Sequence, residues 1–192
     1  MQSIIVSNEI LLERIEIRDA PSIFYAINQN RSHLGRWLPF VGQTKEIRDS
    51  ENFINNVILH RDETLNEVYT IWFKGEFSGT IGFHNTDRVN EKTEIGYWLI
   101  AQMTGKGIIT RSCKELIGLA FEMMRMNRIT IKCAAGNAAS ENVALRLGFS
   151  FEGIERNGER FDNQFYDLKV FSLLKGEHDL NKVQLNNSPE RR

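Results

Sequence analysis

Cysteine is scarce in this chain: among 192 residues only Cys113 and Cys133 carry a thiol. Two thiols and no secretion signal do not make a disulfide framework, so free thiols in a reducing, cytoplasmic compartment are expected. The opening residues Met1-Gln2-Ser3-Ile4-Ile5 lack the basic region and the long apolar core of a signal peptide. No apolar run approaches the roughly 18 residues that a membrane span needs, so no membrane partner is expected. Charge of one sign is missing too. With 24 basic and 25 acidic residues the net charge is −1, which leaves no basic footprint for direct nucleic-acid binding. His33, His60, His84 and His178 stand far apart, with no pair at metal-ligand spacing. Neither a metal nor a histidine-based triad is expected, and no internal repeat is present.

What the chain does have is an ordinary globular composition, 41% hydrophobic and 26% charged, enough for one substantial core. A single domain over residues 1–175 is expected, with a polar extension over 176–192. The organising stretch runs from Glu94 to Asn127. Glu94-Ile95-Gly96-Tyr97-Trp98-Leu99-Ile100 reads as a strand, Gln102-Met103-Thr104-Gly105-Lys106-Gly107 as a loop with two glycines, and the run to Met126 as a helix. In that helix Ile108, Ile109, Cys113, Leu116, Ile117, Ala120, Phe121 and Met124 recur on one face. A loop that enters a helix through Gly-x-Gly exposes free amides at the positive end of the helix dipole, which is an anion site suited to a pyrophosphate. The glycine spacing is neither the dinucleotide fingerprint nor a nucleoside-triphosphate loop.

Taken in order, a strand is predicted over 10–17, a helix from Ala20 to Asn28 with Asp19 as N-cap, and an irregular aromatic segment over 30–40. A helix opened by Thr44 and ending near His60 follows. Strands over 68–74, 77–85 and from Thr93 onward form an antiparallel meander, and Arg128 to Ala134 completes a strand-helix-strand crossover. Asn137 or Ser140 caps a short helix that Gly148 ends, and a final hairpin runs to Leu174.

Gln102-x-x-Gly105-x-Gly107 resembles the acetyl-CoA pyrophosphate loop of the GNAT family, the GCN5-related N-acetyltransferases. Asn137-x-x-Ser140, then Leu147-Gly148-Phe149 and Glu152-Gly153, resembles the ribosomal-protein N-terminal (serine/alanine) acetyltransferase branch of that family. Trp37-Leu38-Pro39 and Gly96-Tyr97-Trp98-Leu99 point the same way, and the resemblance covers about Ile10 to Leu174 in the correct order. It implies an α/β (α+β) fold: a central mixed, mostly antiparallel seven-stranded sheet flanked by helices and splayed between its fourth and fifth strands. It also implies acetyl transfer from acetyl-CoA, the cosubstrate, to an amine by direct attack in a ternary complex, with no metal.

The resemblance assigns the cofactor to Trp98, Leu99, Ile100, Gln102, Gly105, Lys106, Gly107, Ile108, Ile109, Asn137 and Asn142, and the acceptor to Trp37, Leu38 and Tyr97. A backbone N–H near Trp98 to Ile100 would serve the developing oxyanion. Many members carry a tyrosine acid in the helix before the Gly-Phe pair; here that position is Ala144, which moves the role to Ser140, a residue that is also a plausible N-cap. Glu94 and Glu159 are the candidate bases, with Glu159 preferred, and Cys133 reads as a buried structural thiol. The acceptor implied is a protein N-terminus. A small amine such as an antibiotic, polyamine or amino acid, and a degenerate CoA-binding module, are the alternatives; a homo-oligomer is compatible with all three.

Overall fold

Alternating burial along short β-branched runs builds the first half of the sheet. In β1 (Ser3–Ser7) only Ile4 is buried, and in β2 (Ile10–Arg14) Ile10 and Leu12 face inward. The computed structural model describes residues 2–186. After β2 come three helices, α1 (Ala20–Gln29), α2 (Arg31–Leu34) and α3 (Phe40–Gln43), and then the long α4 (Ile47–Thr64). The meander follows as β3 (Val68–Phe73), β4 (Glu76–Asp87) and β5 (Lys92–Leu99). Helix α5 (Ile108–Gly118) crosses to β6 (Arg128–Ala134), and α6 (Ala138–Arg146), β7 (Ser150–Phe161) and β8 (Gln164–Leu174) complete the sheet.

The strand order is β1-β2-β3-β4-β5-β6-β8-β7. Among the described residues eight strands stand where seven were expected, because the run before Ile10 forms β1 and pairs antiparallel with β2. Every neighbouring pair is antiparallel except β5 and β6. Those two pair only at Lys92↔Arg128, Thr93↔Ile129 and Glu94↔Thr130, although β5 continues to Leu99 and β6 to Ala134. β6 meanwhile stays paired with β8 along its whole length. The sheet is therefore open from Ile95 onward, at the place the resemblance implied, now between the fifth and sixth strands.

One helical layer, α1 packed on α4, covers β4; α5 covers the other face, where it meets β1, β2, β4 and β5. Helix α5 buries Ile108, Ile109, Cys113, Leu116 and Ile117, and removing the fully buried Leu116 side chain should cost about 2–5 kcal/mol. Past Gly118 the helix widens into a π turn, Leu119–Met123, closed by Met124 N–H donating to the Leu119 carbonyl at 3.0 Å. The regular helix predicted to Met126 thus ends earlier than its periodicity suggests.

Helix α4 begins later than predicted. Thr44 is extended and its hydroxyl donates to the Phe40 carbonyl at 3.0 Å, closing α3; Glu46 caps α4 through a capping box with Asp49. Asp19 does occupy the N-cap of α1, but its carboxylate accepts from Glu16 N–H, holding the preceding 3-10 turn. The start of the polar extension is helical, α7 (Lys175–Asn186), with the His178 ring 5.1 Å from that of Phe121. Residues 187–192 lie outside the described residues.

Candidate active site

The open part of the sheet leads into a cavity of about 480 Å³ between β5, the N-terminus of α5, α6 and the α2–α3 segment. Its floor is backbone. Gly105 and Gly107 have φ of 75° and 71°, and a Cβ at either would meet nothing within 4 Å, so backbone conformation and not crowding makes these positions glycine. Gly107 is the N-cap of α5 and has no side chain to satisfy the first-turn amides, which lie at the cavity wall formed by Gly107, Ile108 and Ile109. Asn30, at the end of α1, fixes the loop from outside by accepting the Ala101 amide at 3.0 Å.

Farther in, the backbone of β5 is sorted by its partner strand. Ile100 N–H donates to the Ser78 carbonyl at 2.9 Å and is therefore occupied. Strand alternation turns the amide of Leu99 the other way, toward the gap beside β6. Of the amides between Trp98 and Ile100, that of Leu99 is the one that faces the gap.

At the deep end Tyr97 Oη lies 2.8 Å from Ser140 Oγ. Burial pushes the Tyr97 hydroxyl well above the usual phenol range, and burial likewise raises Cys113 and Cys133 beside it. Tyr97 is thus a protonated donor at neutral pH. Asn137 holds the entry to α6 by accepting the Ser140 amide at 3.2 Å. Ser140 is then not the capping residue, and its hydroxyl faces Tyr97 and the Cys133 thiol at the cavity wall. Ala144, one turn on, is fully buried and small. A phenol reaches this end from β5, not from α6.

A second cavity, about 610 Å³, lies on the other side of Tyr97 and Trp98 and shares Leu38 with the first. It sits between α1, α3 and α4 and the β4–β5 face, where Gly82 opposes Gly96 in register. A Cβ on Gly82 would come within 2.3 Å of the Glu67 carbonyl oxygen, so the close approach of β3 excludes a side chain there. Ile23, Ile27 and Phe53 supply apolar wall; Asp49, Ser50 and His84 supply polar groups. Asp49 accepts amides from Lys45 and Glu46 at 2.7 and 3.0 Å, and these bonds hold its carboxyl below the ordinary range. Ser50 is buried with no partner for its Oγ among the described residues.

Several expected site residues fall elsewhere. Lys106 contributes its backbone to the loop, but its ammonium lies 3.4 Å from Met103 Sδ and over the Phe73 ring. Gln102, Ile100 and Asn142 do not line the cavity; Trp98, Leu99, Gly105, Gly107, Ile108, Ile109 and Asn137 do. Trp37 lines this cavity and not the second one, its ring reaching toward Gly136 on the β6–α6 turn. Glu94 lies 3.5 Å from Lys132 and 3.9 Å from His84, outside both cavity linings. Glu159 sits on β7 opposite Tyr166, also outside both, with its pKa raised by burial. His33, Arg146, Asp49 and His84 line the cavities without having been singled out. No local pattern marks them, because each is brought in by an element distant in sequence.

The family model described as Acetyltransferase (GNAT) domain matches residues 9–150. Among curated relatives, "Putative ribosomal N-acetyltransferase YdaF" of Bacillus subtilis is 37% identical over 90% of this chain and 94% of its own. Ribosomal-protein-serine acetyltransferase of Escherichia coli is 28% identical over 90% of this chain and 97% of its own. Among solved structures, the Microcin C7 self immunity acetyltransferase MccE in complex with acetyl-CoA and AMP superposes with a TM-score of 0.84. It shares 30% identity and covers 88% of this chain and 94% of that one.

Proposed function

Since the chain belongs to the GNAT acetyltransferase family, we propose that it moves acetyl from acetyl-CoA to the N-terminal α-amine of a protein, of the ribosomal-protein kind. One observation carries this reading: two cavities of different lining meet at Leu38, Tyr97 and Trp98, so a thioester in one can face an amine in the other. The first-turn amides of α5 and the glycine loop suit the pyrophosphate, with Arg146 adding positive charge along the wall. The gap past Glu94 takes the pantetheine arm. Leu99 N–H meets the oxyanion as the carbonyl carbon becomes tetrahedral.

Ser140 passes a proton to the departing thiolate and takes in its place the proton that the newly acetylated nitrogen sheds, while Tyr97 Oη, 2.8 Å from Ser140 Oγ, orients the serine hydroxyl. Tyr97 is a positioning residue here. On the acceptor side the ionised Asp49 draws an ammonium in, and Ser50 Oγ offers a buried hydrogen bond to a small polar terminal residue such as Ser. The curated relatives with ribosomal names support a protein acceptor.

A second reading, a small amine, is favoured by the volume of the cavity, about 610 Å³, which lies in the range of small-ligand sites, and by the relative solved with AMP. Thiol release from acetyl-CoA separates the two. A panel would hold peptides with free N-termini, N-blocked peptides with lysine, and small amines. Fastest turnover of the free N-terminal peptides is expected; fastest turnover of a small amine would move the protein to the second reading.

A further inference from the structure

Neither carboxylate expected to act as base reaches the acceptor cavity, but one imidazole does. His84 lines it from β4, with Nε2 and Cδ2 lying 2.9 and 3.0 Å from where a Gly96 Cβ would stand. The bare glycine leaves the space that this edge of the ring occupies. On the far side of the ring, Nδ1 faces Glu94 Oε2 at 3.9 Å, too long for a hydrogen bond but within ion-pair range once the ring is charged. Glu94 is followed by Lys132 at 3.5 Å, and Lys132 by Glu155 at 3.0 Å, which leads to the surface. The charged groups facing His84 are thus Glu94 on β5 and Lys132 on β6, while Asp49 on α4 lines the same cavity.

We infer that His84 is the base of the acetyl transfer proposed above: its Nε2 takes a proton from the acceptor ammonium, with Glu94 behind it as the positioning carboxylate. The inference rests on that acetyl-transfer reading. One N–H bond of the ammonium breaks, its electron pair stays on nitrogen as the nucleophile, and a new N–H bond forms at Nε2. The positive charge passes to the imidazolium, where Glu94 stabilises it. About half of the His84 side chain is exposed, so the proton then leaves to water. Partial burial, against the opposing pull of Glu94, holds the imidazole below its usual range, so it is neutral and able to accept at pH 7.

The test is the pH dependence of kcat/KM for the wild type and for His84→Gln and His84→Ala, with calorimetric CoA affinity measured alongside. At pH 7 both variants should fall about 100-fold with CoA binding unchanged. The deficit should shrink above about pH 9, where solution itself supplies neutral amine, and added imidazole should restore part of the His84→Ala rate. In Glu94→Gln the acid limb should move to lower pH, because the charge that favours the imidazolium is gone. Wild-type rate and acid limb in His84→Gln would overturn the inference while leaving acetyl transfer intact. A deficit equal at every pH and unmoved by imidazole would make His84 structural and overturn it too. A wild type that releases no thiol with any amine would instead sink the acetyl-transfer reading, and the base with it.

Discussion

The two cavities that meet at Tyr97 and Trp98 are made of different material. On the cofactor side the polar groups are main chain: amides at the start of α5, two left-handed glycines and the free edge of β5. On the acceptor side they are side chains, Asp49, Ser50 and His84, brought together from α4 and β4 over a floor of glycines. Main-chain donors tolerate substitution around them, and in the proposed reaction they would meet what is constant, a pyrophosphate and a thioester. Side chains can be exchanged one at a time, so the acceptor cavity is where specificity can change without loss of the donor. The difference also says where single substitutions should hurt, and whether they should hurt binding or rate.

Breaking the main-chain site should have the largest effect. Asp tolerates the left-handed conformation and is a good N-cap, so Gly107→Asp should fold with a stability change within about 1 kcal/mol. Its carboxylate would occupy the amides that a pyrophosphate needs and repel the phosphates as well. CoA affinity should drop by about 100-fold or more, against a much smaller loss for the neutral Gly107→Asn. Equal affinities of the two variants in calorimetry would mean that the α5 amides are not the anion site.

Next in size is the choice of amine. An α-amine near pKa 8 is easier to deprotonate than lysine near 10.4 by about two units, or about 3 kcal/mol. Matched peptides, one with a free terminus and no lysine, the other blocked with an internal lysine, should therefore differ by about 100-fold at pH 7 when acetylation is followed by mass. The gap should narrow as pH rises. A preference for the blocked peptide would mean that the acceptor cavity depresses a lysine pKa by burial.

The junction between the cavities should give a rate effect with little binding effect. Ser140→Ala should lower the single-turnover rate about 100-fold and Tyr97→Phe about 10-fold, since the phenol only orients the serine hydroxyl. A thioester with a more acidic thiol should recover much of both losses, because its leaving group needs no proton. Loss of CoA affinity with an unchanged transfer rate would return both residues to a packing role.

The same contrast explains what could be read in the chain beforehand. The glycine loop, the first turns of α5, β6 and the cap of α6 are local: a few adjacent residues fix φ or periodicity and narrow the cap to Asn137 or Ser140, of which the structure uses Asn137. The Tyr97–Ser140 bond spans 43 positions, and the acceptor cavity draws residues from Ile23 to Trp98. Only the folded sheet brings those together. β1 was missed because an edge strand with one buried residue carries almost no alternation, Ile5 on it being 77% exposed. The π turn after Gly118 was missed because its apolar residues continue the spacing of α5.

The smallest effect should come from the closed end of the β5–β6 gap, where Arg128 opens β6 opposite Lys92. Its guanidinium makes a two-pronged pair with Glu152 of β7, and Ser172 Oγ donates to the same carboxylate at 2.7 Å. The Arg128 bonds, then the Ser172 bond, pull the Glu152 carboxyl down to about 2 from the ordinary 4.5. A depressed folded-state pKa means that the stabilisation is present above about pH 4.5 and is lost as pH falls through about 2. Glu152 is 41% exposed, so solvent screening reduces the contribution to about 1 kcal/mol. Glu152→Gln should lose about that much in urea unfolding at pH 6, and the difference from wild type should vanish near pH 2. Arg128, Glu152 and Ser172 line neither cavity, so CoA affinity and transfer rate at pH 7 should not change. A selective loss of CoA affinity in this variant would show that the main-chain site depends on how firmly β6 is anchored, and that its tolerance of distant substitutions is narrower than the contrast with the acceptor cavity implies.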